Sequence, residues 1–516
     1  MRPLRTQLLL AASLFLAATS CGGEGSITPA AELPSAAPIN PGSPPVDDGE
    51  EGDGGETTGD GDAAWTDVRS LSDALTLGER GAREADELDD ASLMASAVAI
   101  RYRAYFVPGY TGLLEFTIRN TGSGWQEKFL LQLPSTPPTS PVPLLVVFHK
   151  YGSSHGDLLN TSFRAETQAR GWYCMAPLGA RQKHFGNSES QINTRAALDL
   201  VAHLFPVDRD RVYGAGFSMG GGAMTNYAAR HLDPSGVRFA ALVDHTGGVS
   251  LSHTWFNEPD DADLDDDVPL PGQNLEVPDV LEDLFGGTPS TVPFEYRRSS
   301  TIDLDPITGQ IGVGTDFGRN LAHIPTLVWV ANNDPLAYVV AQTYALNTYL
   351  QAQNAGHQFT LTNGSSHSWS TLDETAVCDW LQTKTLQTPS SGRTLADEDG
   401  VWHHFTIEQN TRGVFTQFTW DIDTATRVVE FSETTNLKRV SIDVVGAGLS
   451  LSGPVTLRLA SADGTGDRVR LVGVQVPPIS VTRDGIATAG IYDSLLDTYE
   501  IVETNSAQHE WVLTFP

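Results

Sequence analysis

A serine stands in the segment Gly216-Phe217-Ser218-Met219-Gly220, followed at once by Gly221 and Gly222. Residues 211–215 read as a short buried strand and residues 223–230 as a helix, so Ser218 falls on a tight strand-to-helix turn. That is the setting of a G-x-S-x-G nucleophile elbow. The turn strains the serine backbone and requires small residues two before and two after it. The hydroxyl is then left at a helix N-terminus, where backbone N–H groups favour a developing negative charge. The bland alternative is a glycine-rich turn carrying a solvent serine.

A serine hydroxyl is a weak nucleophile until a base takes its proton, and the base must be oriented by an acid. Chain order supplies candidates for both. Asp334 lies in Asn332-Asn333-Asp334-Pro335-Leu336, just past an apolar strand at 326–331, and His367 lies in Gly364-Ser365-Ser366-His367-Ser368-Trp369, after the next strand. Of the thirteen histidines, His367 alone combines this order with a loop after the last strand of the alternating region. His203 and His231 sit near helix ends and read as solvent-facing. Asp244, at the end of the strand before, is the alternative acid. An oxyanion hole needs two N–H donors. Met219 supplies one, and Lys150 or Tyr151 the other, in the loop His149-Lys150-Tyr151-Gly152 after the strand at 144–148. His149 reads as a brace for that loop.

These residues require a particular frame. Residues 98–107, 113–119 and 128–133 read as strands, and from 144 onward strands alternate with helices as in a parallel sheet covered on both faces. Helices are expected at 163–170, 190–205, 338–355 and 372–384, and strands at 172–176, 239–243, 326–331 and 358–362. The rhythm breaks over 247–325, an insertion rich in Pro, Gly and Asp at the edge where ligands enter, and so a lid or substrate-shaping region. Within it Asp261, Asp263 and Asp265 have the alternate spacing of calcium loops. The sixth-position glycine and terminal glutamate of an EF-hand are missing, so a solvated acidic loop is the preferred reading. Residues 395–516 change to short alternating strands and read as a C-terminal β-sandwich. Its Trp402, Trp420 and Trp511 are core residues, or else a stacking platform for a sugar. Cys174 and Cys378 are read as buried small hydrophobes in preference to a disulfide.

With these residues in place, the chain over 98–385 resembles secreted esterases of the α/β-hydrolase superfamily, among them polyhydroxybutyrate depolymerases and feruloyl esterases. The carrying segments are 144–152, 208–221, Asn333-Asp334-Pro335-Leu336 and His367-Ser368-Trp369. The family has glycine after the histidine of the first segment, where this chain has Lys150. The resemblance implies an α/β-hydrolase domain at 98–390, with a doubly wound, mostly parallel sheet and a lid-like insertion. It also implies a Ser-His-Asp carboxylesterase that needs no cofactor. A prolyl-oligopeptidase-like peptidase would use the same triad, but residues 22–97 are too short and polar for the large domain such enzymes carry in front. A non-catalytic surface lipoprotein on the same fold is the reading from another class.

At 516 residues the chain exceeds the roughly 100–200 residues of one domain, which suggests several units with linkers. A formal charge of −32 argues against nucleic acid as a partner. Arg2 and Arg5 precede an apolar run at 8–18, too short to span a bilayer and shaped as an export signal. Ala18-Thr19-Ser20-Cys21-Gly22 resembles a bacterial lipobox, with Ala18 where leucine is usual, which implies lipidation of Cys21 and membrane anchorage at the cell surface. Residues 22–64 contain no Lys or Arg and read as a disordered acidic tether, and 65–97 as a polar lead-in. Export and a tether point to an extracellular ester, such as a polyester or an acylated polysaccharide. Oligomeric state is not legible.

Overall fold

Alternate residues of an extended chain face opposite sides of a sheet, and residues 144–148 show what that dictates here. Leu144, Val146 and Phe148 join one apolar cluster, while Leu145 and Val147 join another on the opposite face. A strand apolar at every position must be covered on both sides.

The computed structural model describes residues 100–120, 126–258, 277–312, 316–353, 356–461 and 466–516. The expected signal, Cys21, the acidic tether, the lead-in at 65–97 and Asp261, Asp263 and Asp265 lie outside the described residues. The chain runs through strands β1 (Ile100–Phe106), β2 (Leu113–Asn120), β3 (Gln126–Gln132) and β4 (Val142–Phe148), then helix α1 (Phe163–Arg170). Next come β5 (Tyr173–Pro177), α2 (Ser188–Leu204), β6 (Val207–Phe217), α3 (Met219–Arg230) and β7 (Ala241–His245). The 247–325 stretch contributes α4 (Leu251–Asn257), α5 (Val277–Phe285) and α6 (Pro293–Arg298), with a 3₁₀ turn at Phe317–Leu321. The alternation resumes with β8 (Thr326–Ala331), α7 (Ala337–Ala352), β9 (Gln358–Thr362) and α8 (Glu374–Leu381).

The nine strands form one mixed sheet in the order β1-β2-β3-β5-β4-β6-β7-β8-β9. Pairing is antiparallel from β1 to β5 and parallel from β5 through β4 to β9. Helices α2, α3 and α7 contribute Leu200, Met224 and Leu346 to one cluster, and α1 and α8 contribute Phe163 and Val377 to the other. Mixed strands with helices in this arrangement fit an α/β-hydrolase-like core.

Beyond residue 390 the described strands form a seven-stranded and a six-stranded sheet. Their core continues the first cluster without a break: Leu395, Trp402 and Phe405 belong to it together with Tyr227 and Phe317. Trp402, Trp420 and Trp511 are 3%, 1% and 5% exposed, so they are core and present no stacking platform. Cys174 and Cys378 are both buried and unbridged. His231 departs from its solvent-facing expectation: its ring stacks on Tyr227 at 4.0 Å and its Nε2 meets Gln191 Oε1 at 2.9 Å.

Candidate active site

Ser218 caps the start of α3 with φ 57° and ψ −121°, a left-handed conformation that costs about 1–3 kcal/mol for a residue with a side chain. Surrounding backbone bonds hold it there. Its N–H donates to His245 O at 3.0 Å, and its carbonyl accepts from Gly221, Gly222 and Gly248 N–H at 3.0, 3.3 and 3.0 Å. The flanking glycines are needed for close approach. A Cβ on Gly216 would fall on the Gly220 carbonyl, one on Gly220 on the carbonyls of Phe148 and His149, and one on Gly222 on the Gly248 carbonyl. The first turn of α3 therefore presses directly on the end of β4, and only glycine lets it do so.

Asp334 follows β8, and its turn is closed by its own side chain, Oδ1 accepting from Leu336 N–H at 2.9 Å. Its Oδ2 lies 2.8 Å from Nδ1 of His367, in the loop after β9. That contact fixes the tautomer in which Nδ1 carries the proton and Nε2 has the free lone pair. The imidazole lies over the ring of Phe217, the residue before Ser218, with centroids 4.5 Å apart. Nε2 is buried and makes no hydrogen bond among the described residues. The structure thus bonds His367 to Asp334 and sets it beside the elbow, without closing a serine–histidine hydrogen bond; such bonds are often long before substrate binds.

Asp244, the alternative acid, does not reach His367. It is fully buried at the end of β7, Gly247 lies against its Oδ1, and neither oxygen makes a hydrogen bond of normal geometry. Burial pushes its carboxyl up to about 7. Its neighbour His245 is pushed down to about 3 by burial, and its Nε2 meets Thr371 Oγ1 at 2.9 Å. His245 is therefore a neutral ring packed behind the site, 4.7 Å from Phe217.

The loop after β4 separates the two oxyanion candidates. Lys150 N–H is directed at Asp157 Oδ2 at 3.5 Å, and Lys150 O is met by His149 Nδ1 at 2.8 Å. The other nitrogen of His149 meets Leu178 O at 2.9 Å, so this buried ring spans two loops. Tyr151 follows with its ring on Phe185, centroids 5.4 Å apart. Met219 N–H, at the first position of α3, makes no backbone hydrogen bond to the described residues. The Met219 side chain joins an apolar wall of Phe185, Leu251, Leu281 and Phe285, so α4 and α5 border the serine.

Three participants escaped the sequence reading. Glu258 caps α4 and hydrogen-bonds Tyr338; burial pushes its carboxyl up, while that hydrogen bond acts against it. Asp157 accepts from Trp369 Nε1 at 2.8 Å. His245 flanks the base. None of the three carried a signal, since Asp157 and Glu258 stand in unremarkable loop sequence and His245 closes β7; only their neighbour Trp369 did, as part of His367-Ser368-Trp369.

No family model matches the chain, and no curated protein matches it. Among solved structures it is similar to a fluorophosphonate-binding serine hydrolase F of Staphylococcus aureus, at 16% identity over 55% of this chain and 98% of that one, TM-score 0.35. It is similar to an S-formylglutathione hydrolase from Agrobacterium tumefaciens at 11% identity over 58% and 96%, TM-score 0.37. An acetyl xylan esterase from Paenibacillus sp. R4 is similar at 13% identity over 60% and 98%, TM-score 0.38.

Proposed function

We propose that the chain is a serine carboxylesterase in which Ser218, His367 and Asp334 act as nucleophile, base and orienting acid. One observation carries this reading: the 2.8 Å contact between His367 Nδ1 and Asp334 Oδ2, on an imidazole seated against the residue that precedes Ser218. Ser218 Oγ attacks the ester carbonyl as His367 Nε2 takes its proton. Asp334 holds the Nδ1 proton and stabilises the imidazolium without itself being protonated. The oxyanion is received by Met219 N–H and by the loop after β4, where the engagement of Lys150 with Asp157 favours Tyr151 N–H as second donor. The tetrahedral intermediate collapses, the alkoxide leaves with the proton from His367, and water activated by the same imidazole releases the acid from Ser218.

The substrate class follows from the sequence: an extracellular ester, a polyester or an acylated polysaccharide, reached by a protein exported by its N-terminal signal and anchored through Cys21. Hydrolysis of p-nitrophenyl esters from acetate to long acyl chains tests the chemistry. The protein is expected to turn over part of the series, and Ser218→Ala to lose about three or more decades of kcat. Absence of turnover, together with no labelling of Ser218 by a fluorophosphonate, would leave a non-catalytic binding protein.

A further inference from the structure

Two loops must be held in register for this chemistry, one carrying the oxyanion donor after β4 and one carrying His367 after β9. They are far apart in sequence, and a single side chain touches both. Asp157 is 3% exposed. Its Oδ2 accepts from the Trp369 indole N–H at 2.8 Å and faces Lys150 N–H at 3.5 Å, while Oδ1 accepts from Asn160 Nδ2 at 3.3 Å. Trp369 is two residues past His367, and its ring is wedged between Phe163, edge-on at 5.9 Å, and Phe217 at 5.3 Å. Phe217 in turn carries the His367 ring at 4.5 Å.

We propose that Asp157 is a positioning residue that locks the oxyanion loop to the histidine loop, so that the second oxyanion donor and the base are aligned by one buried carboxylate. The inference rests on the esterase reading. A buried carboxylate is expensive unless its lone pairs are occupied, and here Asn160 occupies one locally while Trp369 and the Lys150 amide approach from the two loops. Substrate is not touched by Asp157. Its effect should therefore fall on the transition state, since a misplacement of about 1 Å in a catalytic group costs on the order of 100-fold in rate.

The test is a double-mutant cycle on ester hydrolysis. Asp157→Asn keeps the shape and removes the charge, and Trp369→Phe keeps an aromatic ring and removes the indole N–H. Each is expected to lower kcat by about 10- to 100-fold with KM within about 3-fold, and to weaken a boronic-acid transition-state analogue by a similar factor. The double variant should be no worse than the poorer single one to within about 3-fold, because both break the same link. Losses that multiply, or Asp157→Asn with wild-type kcat and an unchanged melting temperature, would overturn the proposal. Should Asp157→Asn not fold, a folded Trp369→Phe with wild-type kcat would overturn it alone. A wild-type protein that hydrolyses no ester sinks the esterase reading first; an active wild type indifferent to these changes sinks only the link.

Discussion

Asp334 follows β8 and Asp244 lies at the end of the adjacent parallel strand β7, yet their surroundings give them opposite characters. Asp334 is satisfied by His367 and by the Leu336 N–H. Asp244 is enclosed, with Gly247 against its Oδ1 and no hydrogen bond of normal geometry at either oxygen among the described residues, and burial pushes it up to about 7. An unfolded aspartic acid releases its proton near 3.9, so between about pH 4 and pH 7 the folded protein holds a proton that the unfolded chain has lost. Folding stability from this group is full below that window and declines as pH rises through it. Asp244→Asn, which has no proton to lose, should melt close to wild type at pH 4 and increasingly above it up to pH 7.5. Thermal melts at pH 4, 5.5 and 7.5 check this; a difference that does not change with pH would mean the carboxyl is already ionised at pH 4.

The elbow joins β6 to α3 through one strained residue and several close approaches. Ser218 adopts φ 57° with a side chain that opposes it, and the four backbone hydrogen bonds at 3.0–3.3 Å keep it there. Glycine tolerates that conformation and alanine does not. Ser218→Gly should therefore be more stable than Ser218→Ala by about 1 kcal/mol, although both lack the nucleophile. Urea unfolding of the two variants side by side measures the difference. Equal midpoints would show that the local backbone relaxes when the hydroxyl is removed.

For the whole molecule, the decisive contact lies between the nine-stranded sheet's helices and the strands beyond residue 390. Asp397, with a fully buried side chain, receives Arg230 Nη2 at 2.6 Å and Arg298 Nε at 2.8 Å. Asn320 spans the same seam, donating to the carbonyls of Ala229 and Leu395 and accepting from Leu395 N–H at 2.9 Å. All described residues belong to one compact unit. Asp397→Ala leaves the buried Arg230 guanidinium without its carboxylate, while the half-buried Arg298 keeps Glu295 and Glu398, and should cost about 3–5 kcal/mol. Calorimetry is expected to show one unfolding transition, because separating the two parts would expose a shared apolar core. Two resolved transitions, with Asp397→Ala moving neither, would mean that they fold independently.

What the sequence determined by itself is what short-range chemistry controls. A strand, a serine and a run of glycines mark the turn at Ser218 within one short segment, although the carbonyls of Phe148, His149 and Gly248 that those glycines must clear are brought there by the fold. Short apolar runs and helical patterns mark β4 to β9 and their helices, because a strand covered on both faces is apolar throughout and a helix repeats its buried face at fixed spacing. Chain order could name Asp334 and His367, but it could not exclude Asp244, which stands at an equivalent strand end and differs only in what surrounds it. Tertiary structure alone decided that Lys150 turns inward, that Asp157 meets Trp369 across 212 positions, and that Arg230 meets Asp397 across 167. Such contacts leave no local trace. A buried carboxylate is chosen for partners that only the folded chain brings within 3 Å, and nothing in the residues beside it records which partners those will be.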